Sequence, residues 1–327
     1  MAYERLTSRA ILGMFYKGLA EIAPPAWVAA VSFLNDESDQ FSEEYRWLGQ
    51  NPTFREWIGG RQAVQLPDHG VIVENKEFEA TLEFHRRELR KDKTGEIQRR
   101  INTLLQATEG RHWQQLLTPL FINGAGSVAA YGSQSTYDGA NFFGSGHRGG
   151  QDNTLTISSV ASNRPTAAQA EEGLMQAVER IMGFLDERDQ PCNEGASGFL
   201  VMCPPNVLHP IAAALNLQVI QGTGGTRDNV LRATGASMGF TWDIAANARL
   251  LTASGWGTGS TRKVAVCRTD SPAKAFIRQE AEGARVSALA EGSEFEHTNN
   301  SHQYGVAAER GAGYGLWEHA VEVTFAP

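Results

Sequence analysis

The feature that most constrains the fold is the stretch NKEFEATLEFHR at residues 75–86, in which apolar and polar side chains alternate. Phenylalanine, alanine and leucine occupy every second position from Phe78 to Phe84, and glutamate or threonine occupies the positions between them. Because successive side chains of a β-strand point to opposite faces, this period predicts a strand with one apolar and one acidic face. The apolar face needs a cover, and we expect a neighbouring copy of the chain to supply it.

A turn precedes this strand. Pro67-Asp68-His69-Gly70 has proline and glycine in the positions that a four-residue hairpin loop favours. It predicts a β-hairpin in which residues 54–66 form the outgoing strand and residues 71–89 the return strand. A strand rises about 3.3 Å per residue, so a hairpin of this length would project beyond a compact domain.

Upstream, residues 44–61 read EYRWLGQNPTFREWIGGR and combine two tryptophans with arginines and glutamates. Tryptophan and arginine are enriched among the residues that dominate binding at protein interfaces. We therefore predict that this segment and the apolar face of the return strand contact another copy of the chain. The residues that we assign to this inter-subunit interface are Trp47, Arg55, Glu56, Trp57, Arg61, Phe78, Leu82 and Phe84.

Amphipathic helices are predicted at residues 7–20, at residues 96–118 and from Thr166 onward. The sequence TAAQ at residues 166–169 has the spacing of a capping box. Thr94 is the expected N-cap of the second helix and Pro119 its expected end. Gly110 is the point where that helix is expected to kink or break.

Short strands and glycine-rich loops fill the remaining segments. Residues 198–203 (GFLVMC) are apolar throughout and predict a buried strand, followed by a short helix to residue 216 and a strand at 217–220. Residues 122–165, apart from a strand at 155–158, and residues 221–239 are predicted to be loops. Further strands are predicted within residues 262–267, 274–279, 285–290 and 304–325. The mixture is typical of an α+β fold.

Charge and composition exclude several classes of function. Lys and Arg total 29 against 37 Asp and Glu, a net charge of -8, so the chain lacks the excess of basic residues that binding nucleic acid through its phosphates requires. The N-terminus lacks the apolar core of a signal peptide, and no apolar run is long enough to cross a bilayer. Three scattered cysteines do not form a disulfide framework, so we expect synthesis in a reducing cytoplasm.

No group of residues has the spacing of a catalytic, cofactor-binding or metal-binding site. The glycine-rich segments 222–229 and 255–260 lack the GK[ST] of a phosphate-binding loop. His297 and His302 are five residues apart, a spacing that fits no helical metal pair. Cys203 ends an apolar strand, where an inert buried thiol is expected. We predict no catalytic residue, no cofactor and no bound metal.

Three separated motifs resemble one known family. The segments EYRWLGQNPTFREWIGGR and NKEFEATLEFHR resemble the N-terminal signature of the Mu-like phage major head subunit family, gpT. TYDGANFFGSGH (136–147) is similar to that family's YDG-x-x-FF...H loop, and YGVAAERGAGYGLWEHA (304–320) is similar to its C-terminal segment. Residues 166–290 match only loosely.

The resemblance implies the HK97-like major capsid fold. In that fold an N-terminal arm would occupy residues 1–45 and an extended hairpin called the E-loop residues 46–82. The P-domain, with its long spine helix, would occupy 83–165 and regain the C-terminal strands at 291–327. The A-domain would occupy 166–290, with residues 221–239 as a loop near the centre of each capsomer.

The resemblance also implies a function: a major capsid protein of a tailed bacteriophage or Mu-like prophage. Copies would assemble as hexamers and pentamers into an icosahedral shell around double-stranded DNA, with weak DNA contact and with portal, scaffold and cement proteins as further partners. The chain would be made in the host cytoplasm and located in the virion. Two features depart from the family pattern. No lysine lies between Lys17 and Lys76 to cross-link the E-loop, and residues 86–96 (RRELRKDKTGE) are basic where the family is usually acidic.

Two other classes of function remain open at this point. An encapsulin-like compartment shares the implied fold but houses cargo enzymes. A cytoplasmic hydrolase would pair Cys203 or Cys267 with a histidine.

Overall fold

The computed structural model of the chain describes residues 7–36, 38, 40–45, 70–91, 95–123, 136–158, 164–186, 189–222 and 225–327. Five of the predicted interface residues lie outside this part of the chain: Trp47, Arg55, Glu56, Trp57 and Arg61. The predicted outgoing strand at 54–66, the turn residues 67–69 and the expected cap Thr94 lie outside it as well.

The described residues contain nine α-helices and thirteen strands. The helices are α1 (Ser8–Glu21), α2 (Ala26–Val31), α3 (Arg86–Lys91), α4 (Glu96–Leu105), α5 (His112–Asn123), α6 (Ala167–Gly183), α7 (Leu208–Asn216), α8 (Val230–Met238) and α9 (Glu294–Asn299). The strands are β1 (Ser32–Asn35), β2 (Ser42–Tyr45), β3 (Val71–Glu74), β4 (Lys76–His85), β5 (Thr154–Ser158), β6 (Gly198–Cys203), β7 (Val219–Gly222), β8 (Gly225–Asp228), β9 (Thr241–Ala246), β10 (Arg262–Arg268), β11 (Phe276–Leu289), β12 (Ser301–Tyr314) and β13 (Ala320–Ala326).

Most of these strands belong to two mixed sheets. The first has the order β1-β11-β12-β4, with β1 parallel to β11 and antiparallel pairing elsewhere. The second has the order β5-β13-β10-β6-β9, with β5 parallel to β13 and β6 parallel to β9. The pairs β2-β3 and β7-β8 form small antiparallel ribbons. This architecture confirms the α+β class.

Helix α1 confirms the predicted N-terminal helix. The Thr7 hydroxyl accepts a hydrogen bond from the backbone nitrogen of Ala10 at 3.3 Å, which caps one of the free amides of the first turn. Ile11 and Phe15 are completely buried along one face of the helix. They join a cluster with Ile101 and Leu105 of α4, so α1 is docked onto the rest of the chain by its apolar stripe.

The long helix predicted at 96–118 is present, but its ends and its continuity differ from the prediction. It begins after Gly95, which has the left-handed φ of 69° and makes no side-chain capping bond. Residues 106–110 form a π-helical turn, so the predicted irregularity at Gly110 is confirmed. Pro119 does not end the helix, which continues to Asn123. Leu120 and Phe121 are completely buried, and this packing outweighs the hydrogen bond that proline cannot donate.

Strand β4 has the predicted alternation, but its apolar face is covered by the chain's own helices. Phe84 is completely buried in a cluster with Phe15 of α1 and Ile101 of α4. The expectation that a neighbouring copy covers this face is therefore wrong for Phe84. The strand also ends at His85 rather than at residue 89, because the alternation stops there and residues 86–91 form α3.

The second sheet contains the buried strand predicted at 198–203. Every residue of β6 is buried between β10 and β9. Helix α6 packs against β5 and β13, and its capping box is present: the backbone nitrogen of Gln169 donates to the Thr166 hydroxyl at 3.2 Å, and Gln169 accepts from the Thr166 nitrogen at 2.9 Å. The predicted strand at 155–158 and the predicted helix ending at residue 216 are β5 and α7.

Strand pairing joins segments on both sides of the domain boundary predicted at residue 290, and that boundary stays a prediction. Strand β11, which the prediction assigns to the A-domain, pairs along its length with β12, which the prediction assigns to the P-domain. Strand β13, which the prediction assigns to the P-domain, pairs with β5 of the same predicted domain and with β10 of the predicted A-domain. The two strands predicted at 274–279 and 285–290 are the single strand β11, which has irregular register between Glu280 and Arg285.

The loop predicted at 221–239 contains a strand and a helix instead. Asn229 caps α8 by accepting a hydrogen bond from the backbone nitrogen of Arg232 at 3.1 Å. The buried carboxylate of Glu171 accepts from the backbone nitrogen of Val230 at 2.7 Å and from that of Leu231 at 3.3 Å. A carboxylate at this position compensates the free amides at the start of the helix. The prediction relied on glycine content and overlooked this cap from a distant helix.

Candidate assembly site

The three predicted interface residues that the structure describes share one face of β4. Phe78, Leu82 and Phe84 all point toward α1, α4 and α5, because they are separated by even numbers of residues. Phe84 has no exposed surface, while Leu82 is half-buried in the same cluster. The ring of Phe78 meets the ring of His112 edge-on, with 4.4 Å between centroids. Only Phe78 and Leu82 retain surface that a second copy could contact.

The opposite face of this sheet is acidic and exposed, and we call it the acidic sheet face. Register places side chains of β4, β12 and β11 on it in three parallel rows. The residues are Glu77, Glu79, Thr81 and Glu83 of β4; Gln303, Gly305, Ala307 and Glu309 of β12; and Glu282, Arg285, Ser287 and Leu289 of β11. Five carboxylates thus share the face with one guanidinium, that of Arg285, which lies 3.4 Å from Glu77 and 3.0 Å from Glu282.

Arg310 fixes the covered side of the sheet to the π-helical turn. Its side chain is almost completely buried and donates to both carboxylate oxygens of Glu109 at 2.8 and 2.9 Å. Its Nε donates to Glu280 of β11 at 2.8 Å. The guanidinium also lies 4.9 Å from the ring centroid of Trp113, within the range of a cation–π contact. One arginine therefore joins β12, β11 and the long helix.

The protonation states around Arg310 agree with this geometry. Burial and the positive charge of Arg310 lower the pKa of His112 to about 4, so its ring is neutral at pH 7. A neutral ring can accept a hydrogen bond, and Nη1 of Arg310 lies 3.3 Å from Nδ1 of His112. Burial raises the pKa of Glu109, although Arg310 opposes that shift. The carboxylates of Glu109 and Glu280 thus depend on Arg310 for compensation.

The two motifs at 136–147 and 304–320 meet in the interior of the chain. The hydroxyl of Tyr137 donates to the carboxylate of Glu318. The ring of His147 stacks on that of Trp317 with 4.0 Å between centroids and an angle of 10°. The ring of Phe142 stacks on that of Tyr314 in the same way, 4.9 Å apart. These side chains are buried, so the motifs form a common core contact and do not line an open site.

Asn153 reinforces this contact through its side-chain amide. Its nitrogen donates to the carbonyl of Phe142 at 2.7 Å and to that of Ala320 at 3.2 Å. Its oxygen accepts from the backbone nitrogen of Gly144 at 2.9 Å. Asn153 is completely buried, and such a residue is stable only when its polar atoms are bonded.

The cysteines do not have the environment of nucleophiles. Cys203 and Cys267 are completely buried, and burial raises the pKa of the Cys203 thiol to about 12. Burial raises the pKa of Cys267 as well. The reactive form of cysteine is the thiolate, which is scarce at neutral pH when the pKa is so high. This geometry disfavours the hydrolase alternative.

The described residues contain neither a metal-binding cluster nor a membrane-spanning helix. Among them, no group of three or more His, Cys, Asp or Glu side chains could hold a metal ion. No helix in the described part of the chain is long and apolar enough to cross a membrane.

Sequence reasoning missed Arg310, although the pattern contained a signal for it. On β12, the side chains that share a face with Val306 and Ala308 point to the covered side of the sheet, and Arg310 continues that series. A charged residue at an inward position requires a partner of opposite charge. Its partners Glu109 and Glu280 are distant in sequence, so the signal does not identify them.

Comparisons with known proteins agree with this architecture. Residues 7–175, more than half of the chain, match the family described as Mu-like prophage major head subunit gpT. The chain is 31% identical over 132 residues to the major capsid protein of Escherichia phage Mu. That alignment spans 40% of this chain and 40% of the phage Mu protein, so the chain matches about two fifths of this curated relative's length.

Solved capsids show the same fold at low sequence identity. A chain of the mature capsid of bacteriophage PhiM1 is matched with a TM-score of 0.54 and 12% identity, covering 93% of this chain and 88% of that one. A chain of the procapsid of bacteriophage JBD30 is matched with a TM-score of 0.51 and 19% identity, covering 98% of this chain and 74% of that one. The chain has the HK97-like fold that these capsid proteins share. On its sequence and its fold, the chain belongs to the Mu-like prophage major head subunit gpT family.

Proposed function

We propose that the chain is the major capsid protein of a tailed bacteriophage or Mu-like prophage. The observation that carries this proposal is the family match over residues 7–175 on a chain with the fold of phage capsid subunits. In this function the product is a shell of many copies, and the fold supplies surfaces for contact instead of a reaction centre. The copies form hexamers and pentamers, and the shell encloses double-stranded DNA in the virion.

The charge of the chain fits a container for DNA. A net charge of -8 gives little attraction for phosphates, so packaged DNA would be held weakly and could leave freely. Portal, scaffold and cement proteins are the candidate further partners of such a shell. Synthesis would take place in the host cytoplasm, before assembly.

The inter-subunit contact that we propose comprises Trp47, Arg55, Glu56, Trp57, Arg61, Phe78 and Leu82. The composition of residues 44–61 and the half-buried side chains of Phe78 and Leu82 support this assignment. Phe84 is removed from it because its side chain is already buried by its own chain.

Electron microscopy of the expressed and purified chain tests the function. Closed shells, or rings of five and six copies, are the expected result. A protein that stays monomeric at high concentration would contradict the proposal. Nucleic acid within shells made during infection is expected, whereas shells that contain a co-purified enzyme would instead favour the encapsulin-like alternative.

A further inference from the structure

The middle of the acidic sheet face is closely packed. Gly305 of the central strand β12 lies between Thr81 of β4 and Ser287 of β11. A Cβ atom on Gly305 would stand only 3.0 Å from the hydroxyl of Thr81 and 3.2 Å from that of Ser287. The hydroxyls of Thr81 and Ser287 thus close over Gly305, and the acidic side chains of Glu79 and Glu309 lie on the same face.

Much of the charge on this face is uncompensated within the described part of the chain. Arg285 already lies against Glu77 and Glu282. No cation among the described residues forms an ion pair with Glu79, Glu83 or Glu309. Glu79 and Glu83 are exposed. Glu77 and Glu309 lie directly opposite each other on β4 and β12, and like charges in such a pair repel. A basic partner would relieve this repulsion.

Helix α3 presents the opposite charge on the same chain. The segment RRELRKDK at residues 86–93 has five basic and two acidic residues, although the whole chain is acidic. Arg87 and Arg90 are exposed and, three residues apart, lie on one face of the helix. Neither forms an ion pair among the described residues, whereas Arg86 lies 3.4 Å from Glu296.

The helix of the same copy is fixed on the other side of the sheet. Helix α3 follows β4 without a connecting segment. Its Leu89 is buried in the cluster that contains Phe84 and Ile97, on the apolar side of β4. Among the described residues, no ion pair joins Arg87 or Arg90 to the acidic sheet face of their own copy, so these arginines are available to a second copy.

Dimensions and symmetry are consistent with this contact. The acidic row from Glu77 to Glu83 extends about 20 Å at 3.3 Å per residue, and α3 is about 9 Å long at 1.5 Å per residue. Each copy would contact one neighbour through its acidic sheet face and the other neighbour through its helix α3. Contacts of this head-to-tail kind close into rings when the rotation allows it.

We propose that α3 of one copy docks on the acidic sheet face of the next copy, with Arg87 and Arg90 beside Glu79 and Glu83. This inference rests on the proposed function, because it requires copies to assemble. The contact adds a polar, salt-sensitive interface to the apolar ones, since exposed ion pairs are screened by added salt. The basic segment at 86–93, which departs from the family pattern, thereby acquires a role.

Charge reversal on each surface tests the contact. The face variant combines Glu79→Arg with Glu83→Arg, and the helix variant combines Arg87→Glu with Arg90→Glu. Each is expected to lower the yield of assembled particles at least tenfold, and the variant with all four changes should restore it to within about threefold of the original protein. Glu179→Arg with Glu194→Arg is the matched control, since both glutamates are exposed elsewhere and should tolerate reversal.

Folding of each variant is checked by circular dichroism. The proximity of Glu79 in one copy to Arg87 in the next copy is measured separately by cross-linking. In a Cys192→Ser background, Glu79→Cys with Arg87→Cys should be joined between copies by a short bismaleimide linker, and Glu79→Cys with Arg249→Cys should not. Normal assembly of both charge variants, failure of the fourfold variant to recover, or absence of the link would overturn the inference while leaving the proposed function intact. Failure of the unaltered protein to assemble would overturn both.

Discussion

At the scale of single residues, the structure depends on a few buried charges whose partners come from distant parts of the chain. Arg310 is the clearest case, because it bridges Glu109 of the π-helical turn and Glu280 of β11. A buried ion pair contributes little when intact, since desolvation offsets the attraction, but removal of one partner leaves the other charge stranded.

Arg310→Leu is therefore expected to lower the free energy of unfolding by about 3–5 kcal/mol. Arg285→Leu is a matched control, because Arg285 also lies beside two glutamates but is exposed, and its loss should cost less than about 1 kcal/mol. Urea unfolding of both variants measures the difference. If both variants lose the same free energy of unfolding, burial of Arg310 does not increase its contribution to stability.

Glu318 predicts a dependence of stability on pH. Its side chain is buried, and burial raises the pKa of its carboxyl group above the ordinary value for glutamate. The unfolded chain then releases its proton at a lower pH than the native chain does. The stability that Glu318 contributes is present below the ordinary pKa and is lost as pH rises through the raised native value.

Glu318→Gln removes this titration while keeping an oxygen that can accept from Tyr137. The free energy of unfolding of the variant, relative to the original protein, should increase as pH is raised from 4 to 8. Measuring the free energy of unfolding of the variant and of the original protein across that pH range tests this expectation. Glu194→Gln is the control for loss of one exposed negative charge. A difference that does not change with pH would contradict the expectation.

At the scale of the elements, α1 is held to α4 by close packing at a glycine. Gly18 is buried, and a Cβ atom there would collide with the side chain of Leu105. Gly13 on the same helix is exposed and has open space around it. Substitution of Gly13 therefore reports the effect of helix propensity alone, whereas substitution of Gly18 also reports the effect of packing against α4.

Gly18→Leu is expected to destabilise the chain by about 1–3 kcal/mol, because the larger side chain has to push α1 away from α4. Gly13→Leu should stabilise it by up to about 1 kcal/mol through better helix propensity. Thermal unfolding of the two variants gives the comparison. If both raise the melting temperature, close packing at Gly18 is not required.

At this scale, an element could be predicted from the sequence when the residues that determine it are close together in the chain. The capping box of Thr166 and Gln169 and the apolar run at 198–203 lie within a few residues, and α6 and β6 appear where predicted. Continuation of the helix through Pro119 depends on burial of Leu120 and Phe121 by other segments. Helix α8 has a local N-cap in Asn229, which the prediction overlooked, and a second cap from Glu171, which no local rule reveals.

The same distinction applies to the candidate assembly site. Alternation along β4 predicted an acidic face and an apolar face, and both are present. It could not show that α1 and α4 of the same chain cover Phe84, because that contact joins segments far apart in sequence. Pairing of the motifs at 136–147 and 304–320 was equally hidden, although each motif was recognised on its own.

At the scale of the whole molecule, assembly is expected to depend on Trp57. Burying one tryptophan ring removes about 150–250 Å² from water, or about 4–6 kcal/mol as an upper bound. Trp57→Ala should give a folded subunit that assembles poorly. Tyr16→Ala, which removes an exposed aromatic ring from α1, is the control. Particle yield by electron microscopy measures the effect, and normal shells from the Trp57 variant would remove this residue from the proposed contact.

The pairing of β4 with β12 also determines how the chain would respond to mechanical load. The two strands are bonded in continuous register from Lys76–Arg310 to His85–Ser301. A force parallel to the strands would strain the whole ladder at once, so rupture would require many bonds to break together. A force perpendicular to them would open the ladder one bond at a time, starting at the His85 end. A copy pulled parallel to β4 should therefore resist unfolding far more strongly than a copy pulled perpendicular to β4 from the end that joins α3.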